Sequence, residues 1–265
     1  MDLCDLNTIK SLLGRHGFHF SKSMGQNFLI QDWVPRGLVE GAGVGPENGV
    51  LEIGPGIGPL TAQLAAAAQK VVAVELDRSL LPVLDETLRD FSNVEILPAD
   101  ILKLDIPALA DEKFPGLTPM ACANLPYNIT TPVITALIEA KRFACIAVMI
   151  QREVALRICA APGTADYGAF SVYCQYHTVP ELLFDVGPEC FVPAQGDLLG
   201  DPHGSPVCSP GGCGGRKAIL PGGEGRLRPA PQNPPQRSLC RFGRRRQGTH
   251  QSRHRRRRSG GEHPR

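Results

Sequence analysis

Four consecutive residues, Asn124-Leu125-Pro126-Tyr127, offer the most distinctive chemistry in this chain. Asparagine supplies a carbonyl oxygen and an amide, proline a carbonyl without an N–H, and tyrosine a flat ring with a polar tip. Such a set can hold a planar ring bearing an exocyclic amine, whose two N–H bonds need two acceptors. Asn124 and the Pro126 carbonyl are the candidate acceptors, and Tyr127 is the candidate stacking surface. The plainer alternative is a proline turn after a strand.

What precedes these residues favours the chemical reading. Val50-Leu51-Glu52-Ile53 has the pattern of a buried strand, and Gly54-Pro55-Gly56-Ile57-Gly58 follows at once. Pro59 to Gln69 is then alanine-rich and helical in pattern. Strand, glycine turn and helix let main chain approach a ligand closely. The next strand, Lys70 to Val74, ends in Glu75 and Asp77. Glu75 lies 21 positions after Gly54, where a nucleotide-binding β-α-β unit keeps its ribose carboxylate. Pro59 occupies the place of the third glycine of the dinucleotide fingerprint, which disfavours NAD.

The positioning elements follow from the alternation. Leu6 to Leu13 and Trp33 to Glu40 have helical patterns, and residues 23–29 between them read as a loop. After a helical stretch from Arg78 to Arg89, a strand at Val94 to Leu97 leads to Asp100. A strand at Met120 to Ala123 delivers Asn124. Thr131 to Ala140 is helical in pattern, and Cys145 to Ile150 is a wholly apolar strand suited to a sheet covered on both faces. Glu153 to Cys159 and Tyr167 to Tyr176 read as helices, and Leu182 to Val186 as a sixth strand before Phe191. Four strand ends carrying Gly54, Glu75, Asp100 and Asn124 describe a nucleoside-type ligand beside an amino-bearing ring on a doubly wound α/β sheet.

Composition divides the chain in two. Residues 1–194 carry a net charge of −9 and residues 195–265 a net of +11. No run of about eighteen apolar residues suggests a membrane span, and Met1-Asp2-Leu3 lacks a signal-peptide pattern. Nine cysteines without paired spacing suit a reducing cytoplasm. No metal-ligand spacing stands out.

Taken together, Gly25-Gln26-Asn27-Phe28-Leu29, Glu52 to Gly58, Glu75-Leu76-Asp77, Ala99-Asp100 and Asn124 to Asn128 resemble the ribosomal RNA adenine N6,N6-dimethyltransferase family, and most nearly its small-subunit, kasugamycin-resistance type. The resemblance spans roughly residues 8 to 194. It implies a Rossmann-like domain that uses S-adenosylmethionine, followed by a small helical RNA-binding domain. It further implies that Asn27 and Leu29 close over the methyl donor, Gly54 passes beneath its methionine part, and Glu75 binds its ribose. Asp100 would face the donor's adenine amine, Asn124 would stand beside the sulfonium, and Phe191 would close the second face of the target adenine. The implied partner is ribosomal RNA of the small subunit, met by a monomer in the cytoplasm. Competing readings are a large-subunit methylase of the macrolide-resistance type, a DNA adenine methylase, and a damaged or non-catalytic product.

After Ala194 the composition changes abruptly. Residues 195–265 contain 14 Gly and 9 Pro but only 8 Leu, Ile, Val or Phe, a poor basis for a core. Read one nucleotide later, the degenerate codons of Ala194 to Pro202 permit the Pro-Lys-Val strand with which the family continues. Those of Ala230 to Leu239 permit a basic helical segment. Residues 195–265 are therefore expected to be an out-of-frame, disordered tail in place of the helical domain, with the seventh strand of the sheet missing and the Cys145 to Ile150 strand left with an open edge.

Overall fold

The structure, a computed structural model, describes residues 1–17, 27–193 and 237–244. Its strands are β1 (Asn27–Leu29), β2 (Asn48–Ile53), β3 (Lys70–Glu75), β4 (Val94–Pro98), β5 (Thr118–Asn124), β6 (Cys145–Gln151), β7 (Thr178–Val186), β8 (Phe191–Pro193) and β9 (Arg237–Arg244). Its α-helices are α1 (Leu6–Arg15), α2 (Trp33–Ala42), α3 (Pro59–Ala67), α4 (Leu81–Thr87), α5 (Ile106–Lys113), α6 (Thr130–Ala140), α7 (Arg152–Cys159) and α8 (Ala169–His177). Seven strands form one sheet in the order β4-β3-β2-β5-β6-β9-β7, parallel from β4 through β6.

Alternation along β2 shows why the sheet is covered on both sides. Leu51 and Ile53 pack with Val133, Ile134 and Leu137 of α6 on one face. Val50 packs with Leu38 of α2 and Leu64 of α3 on the other. Neighbouring side chains of a strand point to opposite faces, so both faces of an apolar strand need a helical cover. Gly49 permits one close contact, because a Cβ there would lie 2.2 Å from Cδ1 of the buried Phe114 ring. A third cluster joins Ile9, Leu12 and Leu13 of α1 to Phe28, Ile57 and Leu80, which holds α1 against the glycine turn.

The chain runs outward through β2, β3 and β4, then returns to the other side of β2 for β5 and β6. The reversal between β2 and β5 opens a crevice at the carboxyl ends of these strands, as open α/β sheets do.

Three expectations need correction. The seventh strand is present: β9 lies antiparallel between β6 and β7, with Val148 opposite Cys240 and Ile146 opposite Phe242. Cys240 and Phe242 are 0% and 1% exposed, so the Cys145–Gln151 edge is covered, not open. Two neighbouring strands without partners on their facing edges supply donors and acceptors that outweigh the tail's poor composition. The rest of the tail, 194–236 and 245–265, and the expectation attached to it lie outside the described residues. Residues 27–29 form a strand where a loop was expected, pairing antiparallel with β8. α5 had no counterpart in the sequence reading. Asp105 caps it by accepting from the Ala108 N–H at 3.0 Å, and Pro107 stands in its first turn.

Candidate active site

The crevice is a cleft of about 240 Å³. Gly54 and Gly56 line it with φ of +70° and +62°, values that side-chain-bearing residues rarely adopt. A Cβ added at either would meet nothing within 4 Å, so the main chain here faces open space. Glu75, at the end of β3, is 6% exposed and lines the same cleft. Its Oε1 accepts from the Asp77 N–H at 2.8 Å and its Oε2 from the Gly56 N–H at 3.3 Å. Burial pushes the Glu75 carboxyl up, and the N–H groups of Asp77 and Gly56 oppose that shift. The carboxylate thus ties the glycine turn to the end of β3.

Asp100 follows β4. It caps a short 3-10 turn by accepting from the Leu102 N–H at 3.1 Å, and Lys103 Nζ stands 3.3 Å from its other oxygen. The plain capping role and a place in the cleft wall therefore coexist. Asn124 ends β5, opposite Met149 of β6, and both line the cleft.

Of the residues singled out from sequence, Leu29, Gly54, Glu75, Asp100, Asn124 and Pro126 meet on this one cleft. Tyr127, 37% exposed, and Phe191 are outside its lining. Phe191 is nonetheless brought to it by pairing with Leu29 across the β1–β8 ribbon. Asn27 shares that ribbon opposite Pro193, and its side chain lies outside the described residues. The Pro126 carbonyl also has partners within its own turn. It accepts from the Thr130 hydroxyl at 2.9 Å and from the Ile129 N–H at 3.3 Å, which engages both of its lone pairs inside the turn.

Sequence reasoning gave no role to Glu52, which also lines the cleft and is 1% exposed. Its Oε2 and the Thr61 hydroxyl are both buried without a hydrogen-bond partner among the described residues. Burial, with the Glu75 charge nearby, pushes the Glu52 carboxyl up to about 8. The Thr61 hydroxyl opposes that shift without completing a hydrogen bond. A charged residue inside an otherwise apolar strand was the available signal.

Among the described residues, the lining contains three carboxyl groups, Glu52, Glu75 and Asp100, and no Lys, Arg or His. Its remaining surface is largely aliphatic, from Leu29, Leu38, Ile57, Leu60 and Ile101 among others. Such a cleft suits a flat, partly apolar ligand that carries hydroxyls, amines and positive charge.

Comparison with known proteins gives the same direction. A family model described as "Ribosomal RNA adenine dimethylase" matches residues 17–198. The ribosomal RNA small subunit methyltransferase A of Alkaliphilus metalliredigens is 47% identical over 185 residues, 69% of this chain and 64% of that protein. The protein of that name from Bacillus mycoides is 47% identical over 194 residues, 72% of this chain and 66% of its own length. The chain thus spans just under two thirds of the length of these curated relatives. Two solved structures share the fold. A dimethyladenosine transferase from Plasmodium falciparum gives a TM-score of 0.59 at 20% identity, covering 82% of this chain and 63% of that one. The 23S rRNA methyltransferase ErmE gives 0.60 at 23% identity, covering 83% and 70%. With the family model matching most of its length, the chain belongs to the ribosomal RNA adenine dimethylase family.

Proposed function

We propose that this protein transfers methyl groups from S-adenosylmethionine to the N6 amine of adenines in small-subunit ribosomal RNA, giving N6,N6-dimethyladenine. The observation that carries the reading is the convergence of Gly54, Glu75, Asp100 and Asn124 on one acidic, aliphatic cleft at the sheet's reversal point. Three features of that cleft fit the donor. Main chain is exposed at two positive-φ glycines, and among the described residues Glu52 Oε2 is buried without a partner and the lining has carboxylates but no competing cation.

When bound, S-adenosylmethionine supplies an electrophilic methyl group. The residues of this chain do the rest. Glu75 accepts from ribose hydroxyls, Asp100 accepts from the donor's adenine amine, and Gly54 lets the methionine part lie on main chain. Leu29, with the Asn27 main chain, closes the rim. The Asn124 side-chain carbonyl accepts one N–H of the target amine. With the Pro126 carbonyl engaged, the next main-chain acceptor of the turn, Leu125, is left for the second. Accepting these bonds favours a pyramidal nitrogen, whose lone pair is otherwise delocalised into the ring. No strong base is needed before attack, and placement supplies much of the rate. Extruding the base costs a few kcal/mol, and stacking on exposed Tyr127 offsets roughly 1–3 kcal/mol of it. Phe191, fixed beside Leu29, is the candidate second stacking face.

Ribosomal RNA is the proposed partner of a monomer working in the cytoplasm. No helix among the described residues is long and apolar enough to cross a membrane. Relatives 47% identical are small-subunit enzymes, whereas the likeness to ErmE is one of fold, which favours the small subunit over the large. Calorimetric titration with S-adenosylmethionine tests the donor site. Glu75→Gln and Asp100→Ala should each weaken binding by roughly tenfold, the loss of one hydrogen bond to a charged group. Affinity untouched by either change removes these residues from the donor site.

A further inference from the structure

Three thiols that the proposed methyl transfer does not use meet on the α6 side of the sheet. Cys240 of β9 and Cys174 of α8 are buried in the core there, and Cys159, the last residue of α7, is half-buried against them. All three are free thiols. The Cys159 and Cys240 side chains share a hydrogen bond, although residues 160–239 separate them in the chain. Cys240 stands opposite Val148 of β6 and Leu182 of β7, in the strand that enters between the two. The bond with Cys240 holds the Cys159 thiol below its usual value, against its burial. The same bond, together with burial, pushes Cys240 up. Burial and then the Cys159 charge push Cys174 up to about 12. Oxidants attack the exposed thiolate, and of the three Cys159 alone combines thiolate character with access to solvent.

We propose that Cys159 and Cys240 are an oxidisable dithiol, with a peroxide as the oxidant, whose disulfide ties β9 to α7. The Cys159 thiolate attacks one peroxide oxygen, the O–O bond breaks, and hydroxide leaves with Cys159 as a sulfenic acid. The Cys240 sulfur then attacks the Cys159 sulfur. The S–O bond breaks, and the Cys240 proton leaves with the hydroxyl as water. Two thiols are oxidised and one hydrogen peroxide is reduced to two waters. Cys240 is the resolving thiol because it already touches Cys159 and is shielded from the oxidant by its burial. In a reducing compartment such a bond forms transiently under oxidant and is undone by thiol reductants. Its consequence is mechanical. Ladder hydrogen bonds and packing hold β9 between β6 and β7 in the reduced chain, and a covalent bond across a long loop adds to them in the oxidised one.

In the test, the full chain is reduced, freed of reductant and treated with a small excess of hydrogen peroxide, and its remaining thiols are blocked with iodoacetamide. Trypsin and chymotrypsin together cut between Cys159 and Cys174 at Tyr167, so mass spectrometry of the unreduced digest identifies the linked pair. One disulfide should join the Cys159 and Cys240 peptides, with a loss of about 2 Da per chain before blocking. The unfolding midpoint should rise by roughly 5–10 °C, as closing a long loop predicts, and dithiothreitol should reverse both changes. Amide hydrogen exchange across residues 237–244 should slow in the oxidised chain. Cys159→Ser and Cys240→Ala should each lose the link and the rise, whereas Cys174→Ala should keep both. Mapping the unaltered chain needs no variant, so it decides the matter even where Cys240→Ala fails to fold. A disulfide to any other cysteine, Cys208 and Cys213 included, overturns the proposal. So does a sulfenic or sulfinic Cys159 beside an unmodified Cys240, and so does a chain that keeps all nine thiols. A Cys159–Cys240 link that moves neither the midpoint nor the exchange overturns the tie to β9.

Discussion

Asn124-Leu125-Pro126-Tyr127 depends on a residue outside the motif. Thr130, 3% exposed at the start of α6, donates its hydroxyl to the Pro126 carbonyl and so pins the turn that carries Asn124 and Tyr127. The bond is local and its net worth is modest, about 0.5–1.5 kcal/mol, yet it fixes geometry where small displacements matter. Thr130→Val keeps the shape and removes the donor. Turnover should fall about three- to tenfold with donor affinity within about twofold, and Thr130→Ser should restore it. Single-turnover rates alongside donor titration check this, and an unchanged rate in Thr130→Val dismisses the lock. The residue types of the motif suggested the chemistry, and the glycine turn and strand-end carboxylates before it set that reading above a plain proline turn. The occupied Pro126 carbonyl was not legible, because its partners, Ile129 and Thr130, reveal themselves only when the turn folds back onto α6.

At the scale of elements, the strands from β2 to β6 and the helices between them, α5 apart, could be read directly, because apolar runs bounded by Gly, Asp and Asn stand out in a sheet buried on both faces. β1 escaped since three residues cannot show a period, and its identity comes from β8, more than 150 positions away. β9 escaped for a related reason. Composition averaged over residues 195–265 hides Cys240-Arg241-Phe242, where two buried side chains flank one directed elsewhere, and the flanking edges of β6 and β7 decide the rest. Arg241 fits this account by donating to the Gly41 carbonyl of α2 at 3.2 Å. Phe242 packs with Cys174, Ile146 and other members of the core on the α6 side. Truncating a fully buried phenylalanine costs about 3–5 kcal/mol, so Phe242→Ala should lower the unfolding midpoint by several degrees. A shifted reading frame, which we still propose for the change of composition after Ala194, does not prevent an eight-residue segment from filling this slot. Unchanged melting of Phe242→Ala, followed by circular dichroism, shows that residues 237–244 contribute nothing to the sheet.

For the whole molecule, the organisation is one sheet whose reversal point gathers four strand ends, with α1 and the β1–β8 ribbon closing one rim. Arg15 and His16 at the end of α1 both meet Glu86 of α4, which fastens that rim to the body. The charge of residues 1–194, a net of −9, runs against the proposed partner, since it repels RNA phosphates. The central claim is adenine dimethylation, and it is tested most directly on the product. Small ribosomal subunits lacking the modification are incubated with the purified full chain and S-adenosylmethionine, and the RNA is digested and its nucleosides resolved by mass spectrometry. The account predicts N6,N6-dimethyladenosine from the unaltered protein and none from Asn124→Ala, with donor binding retained in the parent chain. Donor binding without any methylated adenine, or equal product from Asn124→Ala, contradicts it.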